Sequence, residues 1–293
     1  MIVGQVMAFE LLTQTIINGL FIGFLFGLAG MGLTLIFGIM KLLNFAHGAM
    51  IMFGAYTAFW LFILYSMNPL VAILIGTIVG LVFGVALYRT LVNRLVRAPA
   101  LASLLALFGV SMILENSMLN LWSPNPRSIP VDYPTLSYGL VTISGSRVLV
   151  SIVAIAASVL LLATLRWTYF GRVIRATVQD SRAATLMGVD VNRVYTLGFS
   201  IGIALTFLSG GLLALIYPFE PFGGLQYALY SFVVVVLGTL GNPAGCLFAG
   251  LIIGLIHSFT GSYWTLNMSP AVAYLILVLT FLFRPGGIMA GRE

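Results

Sequence analysis

Long apolar runs without charged side chains alternate with short polar segments along this chain. Uncharged runs include 42–88, 194–219 and 221–283. About 20 apolar residues cross the hydrocarbon core of a bilayer, and only helices and closed barrels satisfy their backbone hydrogen bonds there. The sequence does not show the alternating segments of about ten residues that are typical of a membrane barrel. The pattern therefore predicts membrane-spanning helices.

The predicted fold class is all-α: a polytopic integral membrane protein with about eight to nine transmembrane helices in a single permease-like domain, residues 1–293. The spans are predicted at 11–38, 45–66, 70–92, 99–121, 147–166, 194–217, 226–240, 244–260 and 270–284. Segment 226–260 fits either two short spans or one broken re-entrant pair. The largest loop on one side is 122–146, and the largest polar segment on the other is about 167–193.

Glycine repeats predict where helices pack closely. Gly19, Gly23 and Gly27 recur every four residues, and so do Gly250 and Gly254. Small residues at this spacing let helix backbones approach each other in lipid. The repeats predict packing seams, either within the chain or between two chains.

Composition excludes a soluble domain. Hydrophobic residues make up 61% of the chain and charged residues only 7%, against about 25% charged residues in soluble domains. The net charge of +6 is explained by basic loops that set membrane orientation. We therefore expect membrane lipid, and no nucleic acid, among the partners.

The basic residues predict the orientation. Alternating spans place 11 of the 13 on one side and leave Arg127 and Arg147 on the other. The larger group comprises Lys41, Arg89, Arg94, Arg97, the basic residues of 166–193, Arg284 and Arg292. By the positive-inside rule this side is cytoplasmic, with the amino terminus outside and the carboxyl terminus inside.

A short helix is predicted within the polar segment 167–193. Asp180 is a favourable N-cap, and Gly188 is a natural residue to end the helix. Such a helix, tied to spans on both sides, fits either a lever moved by a partner or an ordinary amphipathic helix at the membrane surface.

The predicted helix has two different faces. Ala183, Leu186 and Met187 follow helical spacing and form an apolar face, while Arg182 and Thr185 face elsewhere. This spacing alone does not decide between the two interpretations.

Three ordered motifs resemble a known family. They are Gly171-Arg172…Arg175-Ala176…Gln179-Asp180…Ala183-Ala184…Gly188, the pair GLTLIFGI (32–39) and LNFAHG (43–48), and LGTLGNPAG (237–245). Together they are similar to the branched-chain amino acid (Liv-type) permeases of ABC importers, in particular the H-like subunit. The resemblance covers essentially the whole chain.

The resemblance implies a permease subunit in a bacterial inner membrane. Its partners would be two ABC ATPases, a second homologous permease and a periplasmic or lipid-anchored binding protein that docks near 122–146. ATP would be used by the partners, and no cofactor is implied in this chain. The residues implied to couple to an ATPase are Arg175, Asp180, Arg182, Ala183, Ala184, Leu186, Met187 and Gly188. The solute would be a branched-chain amino acid, another small amino acid, urea or an amide.

Four polar residues are candidates for the translocation path or its gate, because polar groups are unfavourable in lipid. Asn44 and His47 follow the first span, Glu115 lies inside a span one turn after a serine, and Asn242 interrupts a late apolar run. Each also has a structural interpretation. Asn44 and His47 fit a helix cap and a backbone hydrogen bond, and Glu115 fits a polar contact within the bundle.

Two other functional classes are less favoured. The sequence contains no GxxxxGK[ST] motif and no His/Cys/acid cluster at metal-ligand spacing, so neither catalysis nor a metal site is predicted. The triplets that begin at Asn44 and Asn242 also suggest a passive aquaporin-like channel. The second triplet, however, is followed by Gly245 rather than the arginine that such a filter uses.

Overall fold

The computed structural model describes residues 2–131, 133–138 and 141–283. Its helices are α1 (Ile2–Met40), α2 (His47–Tyr65), α3 (Pro69–Leu87), α4 (Asn93–Leu95), α5 (Ala100–Trp122), α6 (Gly145–Trp167), α7 (Tyr169–Gln179), α8 (Ser181–Leu186), α9 (Val191–Leu213), α10 (Gly224–Leu237), α11 (Pro243–Tyr263) and α12 (Ser269–Phe283). A π-helical turn, Tyr88–Val92, joins α3 to α4, and 3₁₀ turns precede α10 and α12.

The predicted all-α polytopic fold is confirmed. Within the described ranges, seven helices are long and apolar enough to cross a membrane. They correspond to α1, α2, α3 with α4, α5, α6, α9 and α11. The predicted spans 226–240 and 270–284 coincide with shorter helices, α10 and α12, and residue 284 lies outside the described residues.

Segment 226–260 contains one short helix and one full-length helix. The 14 residues of α10 span about 21 Å, less than the hydrocarbon core of about 30 Å. The 21 residues of α11 are long enough to cross. The segment is therefore neither two short spans nor one broken re-entrant pair, since only its first helix is short.

The glycine seams lie within the chain, between the antiparallel helices α1 and α11. A Cβ atom added to Gly254 would lie 2.3 Å from the Cα of Gly23, and one added to Gly250 would lie 2.4 Å from the Cα of Gly27. The two backbones are therefore in direct contact, and α1 is held at the centre of the bundle.

Most basic side chains collect at one end of the bundle. α1 ends beside the start of α9, since Gly198 faces Ile39. The turn after α3 lies at the same end, because Tyr88 Oη donates a hydrogen bond of 3.0 Å to Asn192 Oδ1. We call this the basic end; it carries Lys41, Arg89, Arg94, Arg97 and the basic residues of 166–193. Arg284 and Arg292 lie outside the described residues.

The opposite, or far, end is where α9 and α11 finish, and it carries the loop 122–146. Part of this loop has regular structure. β1 (Leu136–Tyr138) and β2 (Val141–Ile143) pair in antiparallel register, and Arg127 forms an antiparallel bridge with Phe219. The Arg127–Phe219 bridge joins segments distant in sequence, and hydropathy does not report such a contact.

Candidate functional site

Helix α7 folds back against the end of α6 at the basic end. The Thr168 hydroxyl accepts a hydrogen bond of 3.3 Å from Gly171 N–H, and Gly171 packs against the Leu165 backbone. The Arg175 guanidinium donates to the Leu165 carbonyl. Arg175 therefore ties α7 to the end of α6, a helix long enough to span a membrane.

Helix α8 is capped at both ends, as the sequence predicts. Asp180 Oδ1 accepts hydrogen bonds from the backbone N–H groups of Arg182 (2.8 Å) and Ala183 (3.1 Å). At the other end, Gly188 has φ of +86°, a backbone conformation that glycine adopts readily. Its N–H donates to the Thr185 carbonyl at 3.0 Å. A short helix with both ends capped can present its surface rigidly.

One exposed face of α8 is apolar. Leu186 and Met187 are 88% and 85% exposed, and Ala183 is exposed beside them. Ala184 instead faces the permease body and is buried. Neighbouring large apolar side chains in water are typical of interaction surfaces. We call Ala183, Leu186 and Met187 the α8 tip.

Arg182 lies on a different face of α8 from the tip. Together with Ser181 and Thr185 it lines a cavity between α8, the region of α4 and the start of α9. Arg175 lines another cavity, of about 570 Å³, which also includes Lys41 and Gly241 in its walls. The eight residues predicted to couple are therefore brought to one end of the bundle, but their side chains point in several directions.

Asn44 and His47 lie inside the bundle and are fully buried. Asn44 Oδ1 accepts a hydrogen bond of 3.2 Å from Ala46 N–H, and His47 Nδ1 lies 3.3 Å from Thr206 Oγ1. Thr206 is about 22 Å from the basic end of α9 at 1.5 Å per residue. The chain after α1 therefore returns into the membrane thickness before α2 begins.

The starts of α2 and α10 meet inside the bundle. A Cβ atom on Gly48 would lie 2.1 Å from the Gly224 carbonyl oxygen, so only glycine fits there. Helices that begin within the membrane are common where transporters bind or gate solute. The sequence pattern showed the polar residues but not the depth at which these helices start.

Asn242 has a different environment from Asn44. It is the N-cap of α11, and its Oδ1 accepts a hydrogen bond of 3.1 Å from Gly245 N–H. The adjacent Gly241 contacts Gly38 near the end of α1. The two asparagines of the aquaporin-like triplets are therefore placed differently, one inside the bundle and one at the basic end.

A polar stripe runs along α5. Ser111 Oγ donates a hydrogen bond of 2.9 Å to Glu115 Oε1, as the one-turn spacing suggests. Glu115 is half-buried, and Asn116, Ser117 and Asn120 are exposed. Polar side chains facing lipid are unfavourable, so this side of α5 faces either another subunit or water. We call Asn116, Ser117 and Asn120, with the half-buried Glu115 beside them, the α5 stripe.

An aromatic cluster at the far end holds Arg127, which belongs to none of the sequence motifs. The Arg127 guanidinium carbon lies 5.4 Å and 5.1 Å from the ring centroids of Phe59 and Trp60. Its Nη2 donates a hydrogen bond of 2.8 Å to the Trp122 carbonyl. These contacts fix the start of the loop 122–146 on the bundle.

Known proteins match this chain over almost its whole length. Residues 15–283 match the family described as branched-chain amino acid transport system / permease component. The chain is 29% identical to the high-affinity branched-chain amino acid transport system permease protein BraD of Pseudomonas aeruginosa, covering 96% of both. It is 28% identical to the corresponding permease protein LivH of Escherichia coli K12, again covering 96% of both.

Among solved structures, a chain of PsaBC from Streptococcus pneumoniae in complex with Fab has a similar fold. The TM-score is 0.51, the sequence identity is 11%, and the match covers 92% of this chain and 91% of that one. This similarity concerns the fold alone.

Proposed function

Since the chain belongs to the family of branched-chain amino acid transport system permease components, we propose that it is the membrane-spanning permease of an ATP-driven importer. The solute is a branched-chain amino acid or a related small amino acid or amide. The chain itself moves the solute by alternating access, while partner ATPases consume the ATP. Nothing in the structure or the comparisons favours the aquaporin-like channel.

The observation that carries the coupling proposal is the α8 tip. Two large apolar side chains, Leu186 and Met187, stand almost fully exposed on a helix that is capped at both ends. Burying each on a partner removes apolar surface from water, worth about 1.5–3 kcal/mol for a complete side chain. In this proposal an ATPase binds the tip, and α7 passes its movement to α6 through Arg175.

The proposed orientation follows from this coupling. ATPases act in the cytoplasm, so the basic end is cytoplasmic, in agreement with the positive-inside rule. The amino terminus then lies outside and the carboxyl terminus inside. The loop 122–146 faces outward, where a periplasmic or lipid-anchored binding protein delivers the solute.

The proposed path runs between two homologous permease subunits. The α5 stripe is uncovered in a single chain, and a second permease gives it a polar or aqueous neighbour. Glu115 meets the ammonium group of the solute. The buried Asn44 and His47 at the start of α2 form the gate, and Asn242 positions α11 at the inner mouth.

Retention of the ATPase during purification tests the docking proposal. We expect Leu186→Ser with Met187→Ser to remove most of the ATPase that co-purifies with the tagged chain in mild detergent. The matched control is Leu266→Ser with Met268→Ser, a second exposed leucine–methionine pair, in the 3₁₀ turn at the far end. Equal ATPase recovery from the tip variant and the wild type would contradict docking through α8.

A further inference from the structure

A cavity of about 310 Å³ lies at the basic end, between α8 and the bundle. Its walls come from the π-helical turn, from α4 and the residues just after it, from α8 and from the start of α9. Arg97 and Arg182 line it from two segments far apart in sequence, together with Ser181, Thr185 and Tyr195. The Thr185 hydroxyl donates to the Ser181 carbonyl, whereas the two guanidinium groups are donors suited to the oxygens of a phosphate.

The cavity carries positive charge that the described part of the chain does not neutralise. Within 2–131, 133–138 and 141–283, neither Arg97 nor Arg182 has a carboxylate within 4.0 Å. The acidic residues flanking α8 do not line the cavity. Asp180 accepts hydrogen bonds from backbone N–H groups, and Asp190 Oδ2 pairs with Arg193 Nε at 2.7 Å. Two arginines facing one cavity favour an anionic occupant.

The geometry of α8 indicates where that anion comes from. Ser181, Arg182 and Thr185 face the cavity, whereas Leu186 and Met187 face outward. An ATPase on the α8 tip, which is part of the function proposed above, therefore does not reach the cavity from that side. The cavity instead adjoins the end of the candidate span Pro69–Leu95, and membrane spans end near the lipid headgroups. Basic pockets between spans on the cytoplasmic side bind anionic headgroups.

We propose that this cavity binds the phosphate group of an anionic phospholipid, held between Arg97 and Arg182. The bound headgroup would fill the space beneath α8 and link the region of α4 to α8. Lipid binding at this position goes beyond the transport function proposed for the chain.

Native mass spectrometry of the purified chain with added phosphatidylglycerol or phosphatidylcholine tests the proposal. We expect wild type to prefer phosphatidylglycerol, and Arg97→Gln with Arg182→Gln to weaken its binding about tenfold, since each basic group near an anionic headgroup contributes substantially. Arg97→Lys with Arg182→Lys keeps the charge and should retain most of the binding, which separates loss of charge from misfolding.

The matched control is Arg89→Gln with Arg94→Gln, two exposed arginines of the same end that do not line the cavity. Their loss should change phosphatidylglycerol binding less than about twofold. An equal loss of phosphatidylglycerol binding in the two double-glutamine variants would show nonspecific electrostatic attraction and would contradict the proposed site.

Two other results would also overturn the proposal. Displacement of phosphatidylglycerol by millimolar inorganic phosphate would identify a free-phosphate site. Unchanged lipid binding in the Arg97/Arg182 glutamine variant, with loss of the co-purifying ATPase, would assign these arginines to the ATPase. Lipid binding is measured on the chain alone, so a negative result leaves the proposed transport function standing.

Discussion

At the residue scale, single polar groups have clear geometric roles when their partners are near in sequence. Asp180 and Gly188 bound α8 as their residue types predict, and Ser111 bonds Glu115 one turn away. Arg127 and Arg97 were missed as members of clusters because their partners come from remote segments. Local hydrogen bonding can be predicted from sequence, whereas clusters assembled by tertiary packing cannot.

Gly188→Val should uncouple ATP hydrolysis from uptake. The φ of Gly188 is +86°, a conformation strongly unfavourable for a β-branched residue. No heavy atom lies within 4 Å of an added Cβ, so the effect comes from the backbone at the end of α8. We expect the solute imported per ATP to fall severalfold while the chain still inserts. Gly188→Asn is the control, since asparagine tolerates this conformation; equal coupling ratios in the two variants would contradict the lever role.

Glu115→Gln should lower uptake of a zwitterionic amino acid by about tenfold, because a hydrogen bond to a charged group is worth about 1.5–3 kcal/mol. Uptake of a neutral amide should change little. The two rates are compared in the same proteoliposomes, with Glu220→Gln, an acid in the far-end loop after α9, as control. If both solutes lose uptake equally, Glu115 has a structural role.

At the element scale, most helices form where hydropathy predicts them. Predicted span 45–66 corresponds to α2, His47–Tyr65, and predicted span 99–121 corresponds to α5, Ala100–Trp122. Hydropathy reports how long an apolar run is, but not the depth at which a helix begins. The return of residues 41–46 into the bundle and the short length of α10 therefore emerged only from the structure.

Gly254→Ala should destabilise the bundle, because the new Cβ would lie 2.3 Å from the Gly23 backbone. Overpacking of this kind typically costs about 1–3 kcal/mol. The matched control is Gly109→Ala in α5, where no heavy atom lies within 4 Å of the added Cβ. That change should be neutral or slightly stabilising, since alanine favours helix. Thermal unfolding in detergent measures both, and a melting temperature for Gly254→Ala at or above that of Gly109→Ala would contradict direct contact of α1 and α11.

At the scale of the whole molecule, the two ends of the bundle have different proposed roles. The basic end carries the α8 tip and the cavity beneath it, and the far end carries the loop held by Arg127. Between them, the α5 stripe is a polar surface that one chain leaves uncovered. This arrangement fits a permease that receives solute at one end and is driven from the other.

The central claim is that ATP hydrolysis by partner subunits drives solute through this chain. The most direct measurement is accumulation of labelled leucine in proteoliposomes that contain the co-purified complex and its binding protein, with ATP or ADP on the ATPase side. We predict accumulation above the external concentration with ATP and none with ADP. Equilibration to the external concentration, at the same rate with either nucleotide, would contradict the account and indicate a passive channel.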